Sequence, residues 1–231
     1  MKKFALPLFL TERNKYVLGA LTFLVAVPMY LLANHYPIFT PQQLPLWKWD
    51  KMIPFIPETV FVYVSEYILF VAAYLFSRDM ENMNKYIYSF LGLQTISVII
   101  FWVWPTTYPR DLFPLPDNLD WLTFTVFSNL RTVDAPTNCC PSLHVSSVYL
   151  SSFIFLDEQK GRFLFFFLWA TAVAISTLTT KQHYIVDVIA GLGLAVLSYY
   201  IFHKLIPYRK VSWAAKRTGS RSPRSAVRLE S

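Results

Sequence analysis

His183 and Asp187 stand four residues apart in TKQHYIVDV, residues 180–188. On a helix, positions i and i+4 share a face. The aspartate can then accept a hydrogen bond from one imidazole nitrogen and leave the other as a nucleophile or base. A second histidine, His144, follows Pro141 and Ser142 in PSLH, at the first turn of another apolar run. Helix N-termini present unpaired N–H groups and the positive end of a dipole, which suit an anion. Ser142 can cap that helix or donate its hydroxyl to a phosphate oxygen. Lys181 adds a point charge, and Arg110 and Arg131 offer forked donors to an oxyanion. Two histidines, a carboxylate and cations around a helix N-terminus suit phosphoryl transfer in which the cations stabilise the developing charge. His144, His183 and Asp187 also have the side-chain types of a zinc site. Lys181 would oppose such an ion and no HExxH is present, so neither a metal nor another cofactor is expected.

The elements that must position these groups are apolar. Of 231 residues, 55% are hydrophobic and 15% charged, with a mean hydropathy of +0.38, whereas soluble domains carry about one quarter charged residues. Six runs read as membrane spans: Tyr16–Asn34, Thr59–Ser77, Tyr86–Trp104, Leu143–Leu156, Phe163–Thr180 and Ile185–Ile206. The expected fold is all-α, a six-transmembrane-helix bundle. The fourth run is short, about 21 Å of helix against a hydrocarbon core of about 30 Å. Three parts follow: an interfacial amphipathic N-terminal segment at 1–15, a membrane domain at 16–206, and a basic, Ser-rich tail at 207–231 of disordered composition.

With the N-terminus cytoplasmic, Lys48, Lys51, Arg110, Arg131 and Lys181 are the only basic residues, of 21, on the opposite side. The positive-inside rule favours that orientation. Both termini are then cytoplasmic, and the active site lies at the non-cytoplasmic end, facing a periplasmic, extracellular or luminal space. The positive charge reports topology and contact of the tail with anionic inner-leaflet lipid rather than nucleic acid. Within the long outer loop, DWLTFTVFSNL has the pattern of a short helix, lying in the headgroup plane or capping the bundle. Arg131 and Asp134 can pair in that loop, as can Arg110 and Asp111. Glu66, in the middle of an apolar run, is expected to contact another helix. Gly191 and Gly193 suit close helix packing. The adjacent Cys139 and Cys140 are expected to be free thiols, since a bridge between neighbours is strained. No residue pattern specifies an oligomeric state.

At these residues the chain resembles the type 2 phosphatidic acid phosphatase superfamily, which includes the vanadium haloperoxidases. That family carries K-x6-R-P, P-S-x-H and S-R-x5-H-x3-D. The second motif is intact as Pro141-Ser142-Leu143-His144. The third is matched by Ser176, His183 and Asp187, with Thr177 where the arginine belongs. The first is not recognisable. The resemblance implies that His183 attacks phosphorus to form a phosphohistidine, that Asp187 orients it, and that His144 protonates the leaving alkoxide and then activates the acceptor. It implies that Ser142 holds a phosphate oxygen. Lys181 and Arg110 are expected to replace the missing arginine. The substrate implied is a membrane lipid phosphate, such as phosphatidate or a polyprenyl pyrophosphate, hydrolysed by a lipid phosphatase. The arginine-free QHYIVDV form is similar to the branch of inositol phosphorylceramide synthases, which implies headgroup transfer between lipids as the alternative. A transporter or scaffold that kept the fold without the chemistry is the third reading.

Overall fold

The computed structural model describes residues 4–211. Helix α1, Lys15–His35, buries only Lys15, Ala26, Ala33 and Asn34, so most of its apolar surface faces outward, as it would toward lipid. Its one buried charge is satisfied: Lys15 Nζ donates to the Ser77 carbonyl at 2.9 Å. A loop then carries the short helix α2, Lys48–Met52. The next span, Pro57–Phe76, begins as a 3-10 turn and is broken into α3, Val60–Val64, and α4, Glu66–Phe76. Ser65 sits at the break. Its hydroxyl bonds back to Val62 O at 2.6 Å and accepts from Trp169 Nε1 at 2.8 Å. A serine bonding its own preceding turn bends a helix, and here the bend puts Glu66 at the head of α4.

Helix α5, Met80–Val103, is capped by Asp79, whose carboxylate accepts from Glu81 N and Asn82 N, the usual service of an N-cap aspartate. Asp120 does the same for α6, Trp121–Val133. This is the helix expected in the outer loop. It caps the bundle, burying Phe127 and Leu130 with Val60 and Tyr63. Helices α7, Leu143–Phe153, α8, Lys160–Thr179, and α9, Ile185–Tyr199, complete the bundle, and α9 runs on as a π-helical turn to Leu205.

Among the described residues five helices are long and apolar enough to cross a membrane, the spans beginning at Lys15, Pro57, Met80, Lys160 and Ile185. The protein is a multi-pass, all-α membrane protein. The fourth expected span differs: α7 has 11 residues, about 16 Å of helix. Every residue in it is buried except His144. Its serines explain how a polar helix occupies the centre. The Ser146, Ser151 and Ser152 hydroxyls each donate to a carbonyl of the preceding turn, so none costs an unpaired buried group.

Two short parallel strand pairs close the ends. Leu6–Leu8 (β1) pairs with Tyr208–Lys210 (β4), and Gln42–Gln43 (β2) with Thr106–Thr107 (β3). The first pair orders the start of the tail that its composition suggested would be disordered. Residues 6–8 of the N-terminal segment are extended, and residues 208–210 of the basic tail are ordered against them, because each strand supplies the backbone partners the other lacks. The remainder of the tail, 212–231, with its expected lipid contact, lies outside the described residues.

Candidate active site

The His183 turn is built by backbone hydrogen bonds. The Thr177 carbonyl, at the position of the motif arginine, accepts from both Gln182 N and His183 N at 3.1 Å. The Thr177 side chain is buried and donates to Ala174 O. Lys181 takes φ 55° to close this turn, the left-handed region a non-glycine residue enters only when its surroundings hold it there. One turn into α9, Asp187 serves two partners. Its Oδ1 accepts from Tyr184 N at 2.7 Å, capping the helix, and its Oδ2 lies 2.5 Å from His183 Nδ1. An ionised carboxylate can only accept, so Nδ1 carries the proton in this pair, and in the neutral imidazole Nε2 is the nitrogen with the free lone pair.

Helix α7 is stitched to the same place. Ser142 N donates to the Asp187 carbonyl at 3.0 Å, and Ser142 Oγ caps α7 by accepting from Val145 N at 3.3 Å. The two helices touch at Gly191, where an added Cβ would sit 2.5 Å from Ser142 O. Any larger residue would push α7 off α9. Gly193, expected to serve likewise, faces open space. This close approach brings the His144 and His183 rings to a centroid separation of 5.6 Å at 58°.

His144 has two carboxylates. Its Nδ1 lies 2.8 Å from Glu66 Oε1 and its Nε2 3.7 Å from Asp134 Oδ2. Glu66 is thus the interhelix contact expected of it, and its partner is the second histidine. Asp134 does not make the pair with Arg131 that the loop allowed: Arg131 Nη2 donates to Phe113 O and its guanidinium lies over the Phe127 ring at 4.8 Å. Asp134 is held instead from α1. Tyr30 donates its hydroxyl to Asp134 Oδ1, and Asn34 Nδ2 donates to the same oxygen at 3.1 Å. Burial works against the Asp134 carboxylate, yet the neighbouring His144 imidazole and the hydrogen bond from Tyr30 together hold it below the usual carboxylate range.

Between the two imidazoles lies a cavity of about 10 Å³, room for about one water. Tyr30, Tyr108, Asp134, Asn138, Gln182 and both histidines line it. Of the residues expected in the site, His144, His183 and Asp187 converge. Ser142 is fully buried beneath them as a cap. Arg110 stands behind the cavity wall. It donates to the Asp134 and Arg131 carbonyls, to Gln182 Oε1 at 3.0 Å and to the Tyr108 hydroxyl, so it fixes residues that line the cavity without lining it itself. Burial keeps the Tyr108 phenol far above its ordinary pKa, and its hydroxyl donates to Gln182 Oε1 at 2.7 Å.

Lys181 departs from expectation. Its Nζ donates to Asp50 O at 3.0 Å and Ile53 O at 2.6 Å, and packs over the Phe113 ring. It clamps α2 and the residue after it, Ile53, and is not turned to the histidines, because the left-handed turn aims its side chain the other way. Burial pushes its pKa down. Asp50 completes the clamp by accepting from Ile185 N at 2.8 Å. Sequence reasoning missed Asp134, Tyr30 and Asn34 as site residues. The signal for Asn34 was an amide at the end of a span, where unpaired polar groups are costly. Cys139 and Cys140 are free and buried, packing with Tyr108 and Tyr184.

The chain is 42% identical over 69 residues to an uncharacterized protein of Methanocaldococcus jannaschii; the shared segment is 30% of this chain and spans only 27% of that protein. No solved structure matches. The model of the PAP2 superfamily matches residues 59–201, a stretch that takes in Glu66, Asp134, His144, His183 and Asp187, and with well over half its length inside that match the chain belongs to the PAP2 superfamily.

Proposed function

We propose that the protein is a metal-independent phosphoryl-transfer enzyme acting on membrane lipid phosphates through a phosphohistidine at His183. Superfamily membership supports phosphatase-type phosphoryl transfer in general. The observation that carries the finer reading is the pair of imidazoles 5.6 Å apart on one small cavity, each with Nδ1 engaged by a carboxylate. In the first step the Nε2 lone pair of His183 attacks phosphorus, the bond from phosphorus to the lipid oxygen breaks, and His144 gives its proton to that oxygen. In the second step His144 takes a proton from water, the resulting hydroxide attacks phosphorus, and the P–N bond breaks to release phosphate and free His183. Fixed donors around the cavity replace the missing arginine in this reading, with Arg110 holding Gln182 and the Asp134 backbone in place. A shift of the Tyr108–Gln182 wall must precede binding, since a phosphate exceeds the present space.

Residues 16–206 form the catalytic membrane domain in this proposal, with both termini cytoplasmic and the histidines at the non-cytoplasmic end, where lipid phosphates meet the interface. The basic tail meets anionic lipid on the inner leaflet. Headgroup transfer is the second reading, favoured by Thr177 in place of the motif arginine. There a lipid hydroxyl replaces water in the second step.

The test uses purified protein in detergent with phosphatidate or a polyprenyl pyrophosphate carrying labelled phosphate. Free phosphate and an acid-labile label on His183 are expected, both absent in His183→Ala. Label arriving on a second lipid without free phosphate selects the transferase. Turnover that survives His183→Ala would refute the phosphohistidine and leave a scaffold or transporter.

A further inference from the structure

A tract of cavities leaves the histidine pair and runs down the side of the bundle between α1, α4 and α5. The inner cavity, about 170 Å³, is bounded by Tyr30, Glu66, Leu143 and His144 at one end and by Phe23, Phe70 and Phe90 at the other. The outer cavity, about 280 Å³, shares those three phenylalanines and continues along Gly19, Ala20, Val71 and Tyr74 to Tyr16. Tyr30, Leu143 and His144 in turn border the cavity between the imidazoles. The three spaces therefore adjoin one another in series, each sharing lining side chains with the next, polar at the histidines and apolar beyond. Its width is set locally. Gly19 faces the Tyr74 ring so closely that a Cβ would come within 2.7 Å of it. Tyr74 donates its hydroxyl to Lys15 O at 2.7 Å, so its polar tip is satisfied and its ring presents an apolar wall. The Thr22 hydroxyl on α1 bonds back to Leu18 O.

We propose that this tract is a binding site for one hydrocarbon chain of the lipid whose phosphate lies between His144 and His183. The proposal rests on the lipid-phosphate reading of that site and adds where the chain goes. His144 borders both the inner cavity and the histidine cavity, which selects a substrate chain over a structural lipid, because an occupant reaching the inner end has its head at His144. Tyr16 and Tyr30 are separated by about 21 Å of α1 at ~1.5 Å per residue, which exceeds the roughly 15 Å depth of one leaflet. The site thus takes a chain lying along α1 through most of its length, and it favours long chains over short ones. Ala20 and Val71, on opposite walls of the outer cavity, are exposed to the tract and touch neither histidine, so they set the chain length that fits.

The experiment measures phosphate release from n-alkyl phosphates of increasing chain length, in mixed micelles, for the full chain and for Ala20→Trp and Val71→Trp. In the parent protein KM is expected to fall as the chain grows until the tract is filled. In each tryptophan variant KM for the longest chain rises about tenfold or more, since every methylene kept out of apolar surroundings forfeits several-fold in affinity. KM for the shortest chain and kcat stay unchanged. Chain-length profiles identical to the parent in both variants would overturn the proposal. A long-chain alkyl phosphate with a diazirine at its far end gives a readout independent of turnover. Its label is expected on the peptides holding Tyr16–Phe23 and Phe70–Tyr74, and label confined to other segments would overturn the proposal. Label on those peptides with no alkyl phosphate turned over by the parent protein would leave the chain site standing and refute the catalytic reading.

Discussion

The two histidines reach the same cavity by different means. His183 stands before α9 and has one carboxylate, Asp187, which also caps that helix. Position, tautomer and helix start are thus one local device. His144 stands on the first turn of α7 between two carboxylates from distant segments, Glu66 and Asp134. Under the proposed mechanism the difference matches two jobs. A nucleophile needs one lone pair aimed and its other nitrogen held. A group that gives and regains a proton needs its charged form supported, and two carboxylates supply that.

The comparison can be broken most strongly at His183. His183→Ala is expected to remove the phosphoenzyme and bring turnover to background, because the other nucleophilic types on the cavity are poorly placed to replace it: His144 is held between two carboxylates, and burial keeps the Cys139 thiol protonated. His144→Ala is expected to lower kcat by about 10²–10⁴, the usual contribution of a general acid–base group, while a labelled phosphohistidine still forms from a substrate with a good leaving group. An equal loss with both substrate types would mean that His144 is structural. Glu66→Gln keeps the shape but removes one charge behind His144. A fall of about tenfold in kcat with little change in KM is expected, with the pH optimum moved downward.

Asp134→Asn is expected to act less on rate and more on acid stability. The folded state holds this carboxylate below its usual range. Its contribution is therefore present above the ordinary carboxylate pKa of about 4 and is lost as pH falls through the depressed value. Thermal unfolding followed from about pH 6 downward should show an acid-side loss in the parent protein that is smaller in the variant. An unchanged pH profile would show that Asp134 gains nothing from His144. Lys181→Met sits last for activity. It leaves the Asp50 and Ile53 carbonyls without their donor, at a cost of about 1–3 kcal/mol per unpaired buried group. Lower thermal stability with kcat within about threefold of the parent is expected. A larger loss of kcat would restore Lys181 to the phosphate site.

The sequence by itself determined what local geometry can carry. The four-residue spacing marked His183 and Asp187 as partners, although His183 stands just before α9 and the capping aspartate makes the contact, and five of the six apolar runs are helices of membrane length. Motif spacing marked His144 as the second imidazole. Tertiary packing decided the rest. Whether α7 spans or sits buried depended on neighbours that enclose its serine-rich surface, which hydropathy along the chain does not record. Glu66 lies 78 residues from His144, and Tyr30 lies 104 residues from Asp134. Such pairs form only where helix faces meet, and the Gly191 contact is what sets the faces of α7 and α9. Lys181 carries the same lesson in reverse. Its charge and position in the sequence suited a phosphate, but a left-handed backbone turn aimed it at two carbonyls, since the direction of a side chain follows φ and ψ rather than its place in a motif.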